Sequence, residues 1–196
     1  AVSGTHGKTT TTSMISQILL EADADPTISV GGILPSIGGN IRVGQSETFV
    51  TEACEYTNSF LRFFPKISVI LNIDADHLDF FKDIDDIRHS FRKFAQLLPA
   101  DGALIINADT PHYQDIIKDL SCKIITYGLE HEAQYQATDI TYDKYGHASF
   151  TVLKDGRKTS SFYLKVPGSH NVSNALAAIA LAQLLQIPDD VIVKGL

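Results

Sequence analysis

At 196 residues and 44% apolar composition, the chain is long enough to bury one well-cored domain, or one domain with an appendage, and its composition excludes disorder. Sixteen basic residues against twenty-three acidic ones give a formal net charge of -7 without any Lys/Arg-rich run, which argues against a nucleic-acid partner. Cys54 and Cys122 match no zinc or redox spacing, no apolar stretch approaches the ~20 residues that span a bilayer, and no basic leader with a cleavage site opens the chain; the expected location is the cytoplasm, away from membranes.

The first element is the run AVSGTHGKTTTTSM. Gly4 and Gly7 let the backbone approach an anion, Lys8 can reach terminal phosphates, and Thr9 can offer its hydroxyl to magnesium. The usual phosphate loop reads G-x-x-x-x-G-K-[ST], and the place of its first glycine holds Val2 here. The competing reading is a plain glycine turn capping a helix. From Lys8 to about Glu21, Met14, Ile15, Ile18, Leu19 and Ala22 recur at helical spacing, so the loop feeds a helix as phosphate binding requires.

Strand-like runs follow at Thr27–Val30, Thr48–Thr51, Ile67–Ile73, Ala103–Asn107 and Lys123–Tyr127, with helical patterns near Ile84–Leu98 and Pro111–Leu120. Apolar strands alternating with helices predict an α/β fold built on a doubly wound, mostly parallel sheet. Between Gln134 and Val166 the pattern turns to alternation, with turn signals at Lys144-Tyr145-Gly146 and Lys154-Asp155-Gly156. It predicts a small antiparallel hairpin set on the edge of the core. Gly168 then precedes a small-residue helix over Ala175–Leu185 that Pro188 closes. The glycine-rich stretch Gly31–Asn40 is the candidate for a mobile loop on the substrate side.

Three further stretches carry candidate chemistry. Asn72-Ile73-Asp74-Ala75-Asp76-His77-Leu78-Asp79 leaves the end of a strand, where ligand crevices of open α/β sheets lie, and its carboxylates and imidazole can hold a divalent cation, magnesium or manganese. An EF-hand does not fit, because the glycine it needs is Asp79; capping of the next helix by solvated carboxylates is the alternative. Thr51-Glu52-Ala53-Cys54-Glu55 also leaves a strand end, where a carboxylate can take magnesium that bridges nucleotide phosphates. Gly168-Ser169-His170-Asn171-Val172-Ser173-Asn174 enters a helix with amides able to read a base edge or to cap.

Taken together, GTHGKTTTT, EACEY, NIDADHLD and GSHNVSNALAAIA resemble, in order and spacing, the Mur ligases, ATP-dependent amide-forming enzymes of peptidoglycan synthesis. The resemblance covers essentially the whole chain. Within the family, His6, the four consecutive threonines and DHLDFFKDIDDIRHSFRKFAQLLP are most similar to the branch that adds L-alanine to UDP-N-acetylmuramate. A departure agrees with that branch: Phe91 stands where other members carry a lysine modified to a metal-holding carbamate, and Lys93 is out of step. A second departure is Cys54, where the family usually has aspartate; it leaves Glu52 and Glu55 in place.

The resemblance implies that Gly4, Thr5, His6, Gly7, Lys8, Thr9 and Thr10 hold the ATP phosphates, with Lys8 facing the transferring phosphoryl group. It implies that Thr9 and Glu52 hold the bridging magnesium and His77 a second cation, making Lys8, Glu52 and His77 the catalytic set. His170, Asn171 and Asn174 would contact the adenine, and Asn72 and Asp76 would support the site. The implied partners are ATP, UDP-N-acetylmuramate and L-alanine. The chain would be a single middle domain over residues 1–196, starting inside the strand before the loop and ending at a linker, with a UDP-binding domain before it and a third domain after it both absent. Rival readings are another ligase of the family, such as the murein peptide recycling ligase, and a phosphate-loop NTPase or nucleotide-binding module without ligase activity. A GTPase is disfavoured because Asn72 opens no N-K-x-D motif.

Overall fold

Val69, Ile105 and Ile125 stand side by side on three neighbouring strands and point to one face of a sheet, while Ile70, Leu104 and Ile106 point to the other. Strands buried on both faces read as continuous apolar runs, and helices must cover both sides. The computed structural model, which describes residues 1–196, meets this requirement with two cores, one on each face.

The chain enters through β1 (Val2–Ser3) and α1 (Lys8–Glu21), then forms β2 (Thr27–Leu34), β3 (Gly39–Arg42) and β4 (Phe49–Thr51). It continues with β5 (Ile67–Ile70), α2 (Ile84–Ala95), β6 (Ala103–Asn107), α3 (Tyr113–Ile117) and β7 (Lys123–Gly128). The strands β8 (Tyr135–Tyr142), β9 (His147–Lys154) and β10 (Arg157–Pro167) precede α4 (His170–Leu184) and α5 (Asp189–Gly195). The main sheet has the order β1-β5-β6-β7-β8-β9-β10, parallel from β1 to β8 and antiparallel beyond.

A smaller sheet, β3-β2-β4, is joined to it by a parallel bridge between Val2 and Glu52. The runs Thr27–Val30 and Thr48–Thr51 therefore lie in this side sheet, not in the main one. Strand order reverses at β1: the chain goes out to β2 and β4 on one side and returns to β5 on the other. In an open parallel sheet such a reversal leaves a crevice at the carboxyl ends of the strands.

On one face α1, α4 and α5 pack over the 28-residue core, and α4 is buried on nearly every side, with Ala175, Ala177, Ala178, Ala180 and Ala182 letting neighbouring backbones approach. On the other face α2 lays Ile87, Phe91 and Phe94 over β5 and β6. Asp83 caps α2, its carboxylate accepting from the Asp85 and Asp86 N–H groups. That task falls to Asp83, so the carboxylates of Asp74–Asp79 are not the cap.

Several boundaries differ from the sequence reading, for physical reasons. Gly31–Asn40 is not a loop: Gly31–Leu34 complete β2, Gly39 and Asn40 begin β3, and a 3-10 turn over Pro35–Ile37 closes the hairpin. Gly31 serves close approach, since a Cβ there would meet Glu52 Oε2 at 2.9 Å, while Gly38, at φ 67°, is the left-handed residue that ends the turn. The hairpin set is continuous with the core, because β8 pairs in parallel with β7 and Phe150, Val152, Phe162 and Leu164 enter the main cluster. The Asp155–Gly156 turn is the tight left-handed pair its sequence suggests, with φ of 49° and 74°.

The helix α3 spans only Tyr113–Ile117, and α4 begins at His170 instead of Ala175. Pro188 does not merely stop α4; it is the residue before α5, whose first turn carries Asp189 and Asp190 at the favourable end of the helix dipole. No helix is long and apolar enough to cross a membrane.

Candidate functional site

Between β1 and α1 the backbone passes through Gly4 at φ 143° and Gly7 at φ 84°. Neither position tolerates a side chain: a Cβ would stand 2.9 Å from Leu71 Cβ at Gly4 and 2.6 Å from Asn174 Oδ1 at Gly7. The loop is bolted to the chain leaving β5. Thr5 N donates to Asn72 O at 3.1 Å, His6 N donates to Asn72 Oδ1 at 2.7 Å, and Asn72 Nδ2 returns a bond to His6 O at 2.9 Å. Asp74 N donates to Thr5 Oγ1 at 2.9 Å.

Thr5 and His6 thus shape the loop through backbone and hydroxyl, while the His6 ring stays exposed, 3.8 Å from Asp74 Oδ2. The helix that follows has no side-chain cap and no acid in its first turn, so its leading N–H groups and the positive end of its dipole are left for an anion.

Lys8 folds back over this loop. Its Nζ donates to Gly4 O at 2.5 Å and Thr5 O at 3.3 Å, and forms an ion pair with Glu55, 3.0 Å from Oε2. The Glu55 side chain is 2% exposed and lies 4.0 Å, through Oε1, from His77 Nε2. One buried carboxylate therefore faces the lysine of the first loop and the imidazole of the third. Glu52, at the exit of β4, accepts from Thr9 Oγ1 at 3.2 Å and from Gly31 N at 2.5 Å.

Of the residues expected in a catalytic and metal set, Thr9 and Glu52 meet directly; His77 stands with Glu55 instead of Glu52. Thr10 is a half-buried residue of the first turn of α1.

The donor chemistry of this set suits magnesium. A hydroxyl and a carboxylate are hard oxygen donors, and magnesium is ordinarily held by one or two carboxylates together with water and substrate phosphates. No group of three or more His, Cys, Asp and Glu side chains is gathered to hold a metal. Phe91, at the place of the expected lysine, is fully buried with its ring edge-on to Phe60 at 5.3 Å, in an apolar setting that rejects an ammonium or carbamate.

At the start of α4, Asn171 Nδ2 donates to Pro167 O at 2.7 Å and Asn174 Nδ2 donates to Asn171 Oδ1 at 3.0 Å. Both amides are buried, and Asn174 abuts Gly7, so this pair backs the glycine loop. His170 is exposed and its ring lies against Gly168.

Sequence reading underrated Glu55, whose burial against a lysine no spacing rule announces. It left aside Tyr56, whose ring lies tilted against His77, 4.5 Å between centroids. It also passed over Asp109 at the end of β6, which accepts N–H bonds from Leu129, Glu130 and His131. The clue was positional: each follows a parallel strand on the crevice side.

Residues 2–182 match the model of the Mur ligase middle domain. The chain is 60% identical, over its whole length, to the UDP-N-acetylmuramate–L-alanine ligase of Agathobacter rectalis, and spans 43% of that protein. Among solved structures it resembles the UDP-N-acetylmuramate–alanine ligase of Thermotoga maritima, with a TM-score of 0.85 and 30% identity over the whole chain and 43% of that one. It also resembles the UDP-N-acetylmuramate:L-alanyl-gamma-D-glutamyl-meso-diaminopimelate ligase from Neisseria meningitides, with a TM-score of 0.88 and 31% identity over the whole chain and 64% of that one.

Proposed function

The chain belongs to the Mur ligase family, and from that premise we propose that it is the ATP-binding middle domain of a longer ligase that joins L-alanine to UDP-N-acetylmuramate. The observation that carries this reading is the meeting of three strand-end loops, where Lys8 pairs with Glu55, Thr9 with Glu52, and His77 faces Glu55. The curated relatives with 52–60% identity are named as alanine ligases, which favours that branch.

In this reading Gly4–Thr10 cradle the ATP phosphates with backbone N–H groups, and Lys8 exchanges Glu55 for the terminal phosphoryl group. The substrate carboxylate attacks the γ-phosphorus, ADP leaves, and an acyl phosphate forms; the amine of L-alanine then attacks the carbonyl carbon and expels inorganic phosphate, leaving the amide. Two anions must meet in the first step, so fixed positive charge at the loop lowers its barrier. Magnesium, when bound, supplies further charge neutralisation between phosphate oxygens. Thr9 and Glu52 would hold it, and His77 with Glu55 would face a second cation. His170, Asn171 and Asn174 would close the nucleotide site on the side of α4. Residues before Ala1 and after Leu196 in the parent chain would bind the UDP moiety and the amino acid.

Lys8→Ala in the full-length ligase should lower alanine-dependent ADP formation by about 10³-fold, the scale of losing a charge aimed at the transferring phosphoryl group, with an unchanged circular dichroism spectrum. Retained turnover would refute the assignment. The backbone likeness to the murein tripeptide ligase favours a second reading, in which the amine donor's place is taken by a peptide. Comparing L-alanine with L-alanyl-γ-D-glutamyl-diaminopimelate as co-substrate separates the two.

A further inference from the structure

His77, Asp79 and Phe80 all touch Tyr56, a side chain to which the reaction assigns no task. His77 adopts φ 53°, and its carbonyl accepts from the Phe80 and Phe81 N–H groups at 2.9 Å each, which fixes the backbone of the turn. Its ring has no such anchor. Nε2 is 4.0 Å from Glu55 Oε1 and Nδ1 is 3.9 Å from Asp76 Oδ1, both beyond hydrogen-bond reach.

The imidazole is instead braced by Tyr56, whose ring centroid lies 4.5 Å away at an interplanar angle of 32°. Tyr56 is itself held twice. Its hydroxyl donates to Asp79 Oδ2 at 2.8 Å, and Phe80 meets its ring edge-on at 6.1 Å. Phe80 in turn rests edge-on against the buried Phe81, 4.9 Å away. The His77 ring is thereby connected to the core through a line of aromatic contacts.

We propose that Tyr56 is a positioning residue that holds the His77 imidazole toward Glu55, and that Asp79 acts through Tyr56. This gives the last carboxylate of NIDADHLD a role as the acceptor that locks Tyr56, separate from any cation. The proposal rests on the reading above only for what His77 serves; the bracing of the ring stands on these contacts.

The test uses the full-length ligase with Tyr56→Leu, which removes the ring, and Tyr56→Phe, which keeps the tilted ring contact and loses the tether. Residues that orient a metal-facing side chain are worth about 10- to 100-fold when removed. Tyr56→Leu should therefore lower kcat about 10-fold while the KM for ATP stays within about twofold, because Lys8 and Thr9 are untouched. Tyr56→Phe should recover only part of that loss, the remaining severalfold deficit reporting the lost tether to Asp79.

Independently of turnover, Mn²⁺ binding in the presence of ADP, followed by electron paramagnetic resonance, should weaken about 10-fold in Tyr56→Leu for the class of ion facing His77 and stay unchanged for the class at Thr9 and Glu52. Identical Mn²⁺ isotherms for wild type and Tyr56→Leu would overturn the proposal. So would a raised ATP KM with unchanged kcat in both variants, the mark of a mere loop anchor. If the wild type itself shows no alanine-dependent turnover, the functional reading fails, while the Mn²⁺ comparison still decides the role of Tyr56.

Discussion

Glu55 shows how a single side chain can join three loops. Its carboxylate is withdrawn from water yet faces Lys8 at 3.0 Å, so the cost of burying two charges is offset by their mutual attraction and by the Gly4 and Thr5 carbonyls that complete the lysine's bonding. Asp109 works differently, tying the exit of β6 to the segment that follows β7 through backbone N–H groups. Burial alone would push its carboxyl up, but N–H groups of Leu129, His131 and Glu130, with the His131 ring, hold it below the usual carboxylate range. A depressed folded pKa means stability that is present above the unfolded value of about 3.9 and lost as pH falls through the folded one. Asp109→Asn should therefore destabilise by about 1–3 kcal/mol at neutral pH, with the gap between variant and wild-type urea midpoints closing below about pH 4. A gap that persisted in acid would contradict the ionised acceptor. The site was legible where chemistry is carried by local spacing, as in Gly4, Gly7, Lys8 and Thr9. It was illegible where a role comes from burial or from stacking across loops, as with Glu55 and Tyr56.

Elements followed the same division. Helix α1 and strands β6 and β7 were readable because apolar periodicity and burial agree in them. Gly31–Asn40 was only partly readable, since the first glycine pair lies inside β2, where Gly31 makes room for Glu52, and only Pro35–Ile37 with the left-handed Gly38 turn the chain. The side sheet was also hidden, because which strands pair is settled by long-range contacts that periodicity does not encode. Helix α2 shows what one element contributes to the site it supports. Phe91 and Phe94 flank Phe60, edge-on at 5.3 Å and stacked at 4.7 Å, and fix the 3-10 segment Tyr56–Arg62 that begins beside Glu55. Phe91→Ala should cost about 3–5 kcal/mol by the lost burial and the cavity, seen as a lower urea midpoint at constant m-value. A loss below about 1 kcal/mol would mean that this face collapses around the gap.

At the scale of the whole molecule, the reversal of strand order at β1 gathers the ends of β1, β4 and β5 into one crevice, and the sequence places its three charged loops there. The chain spans 43% of the length of alanine-ligase relatives that it matches, and in the proposed function this crevice is the phosphoryl-transfer half of a larger site. The proposed chemistry is that a substrate carboxylate is activated by becoming an acyl phosphate at this loop. UDP-N-acetylmuramate labelled with ¹⁸O in both carboxylate oxygens, incubated with the full-length ligase, ATP and L-alanine, tests it directly. Each inorganic phosphate released should carry one ¹⁸O, because the attacking oxygen leaves with the phosphoryl group. Unlabelled phosphate released alongside the amide product would contradict it.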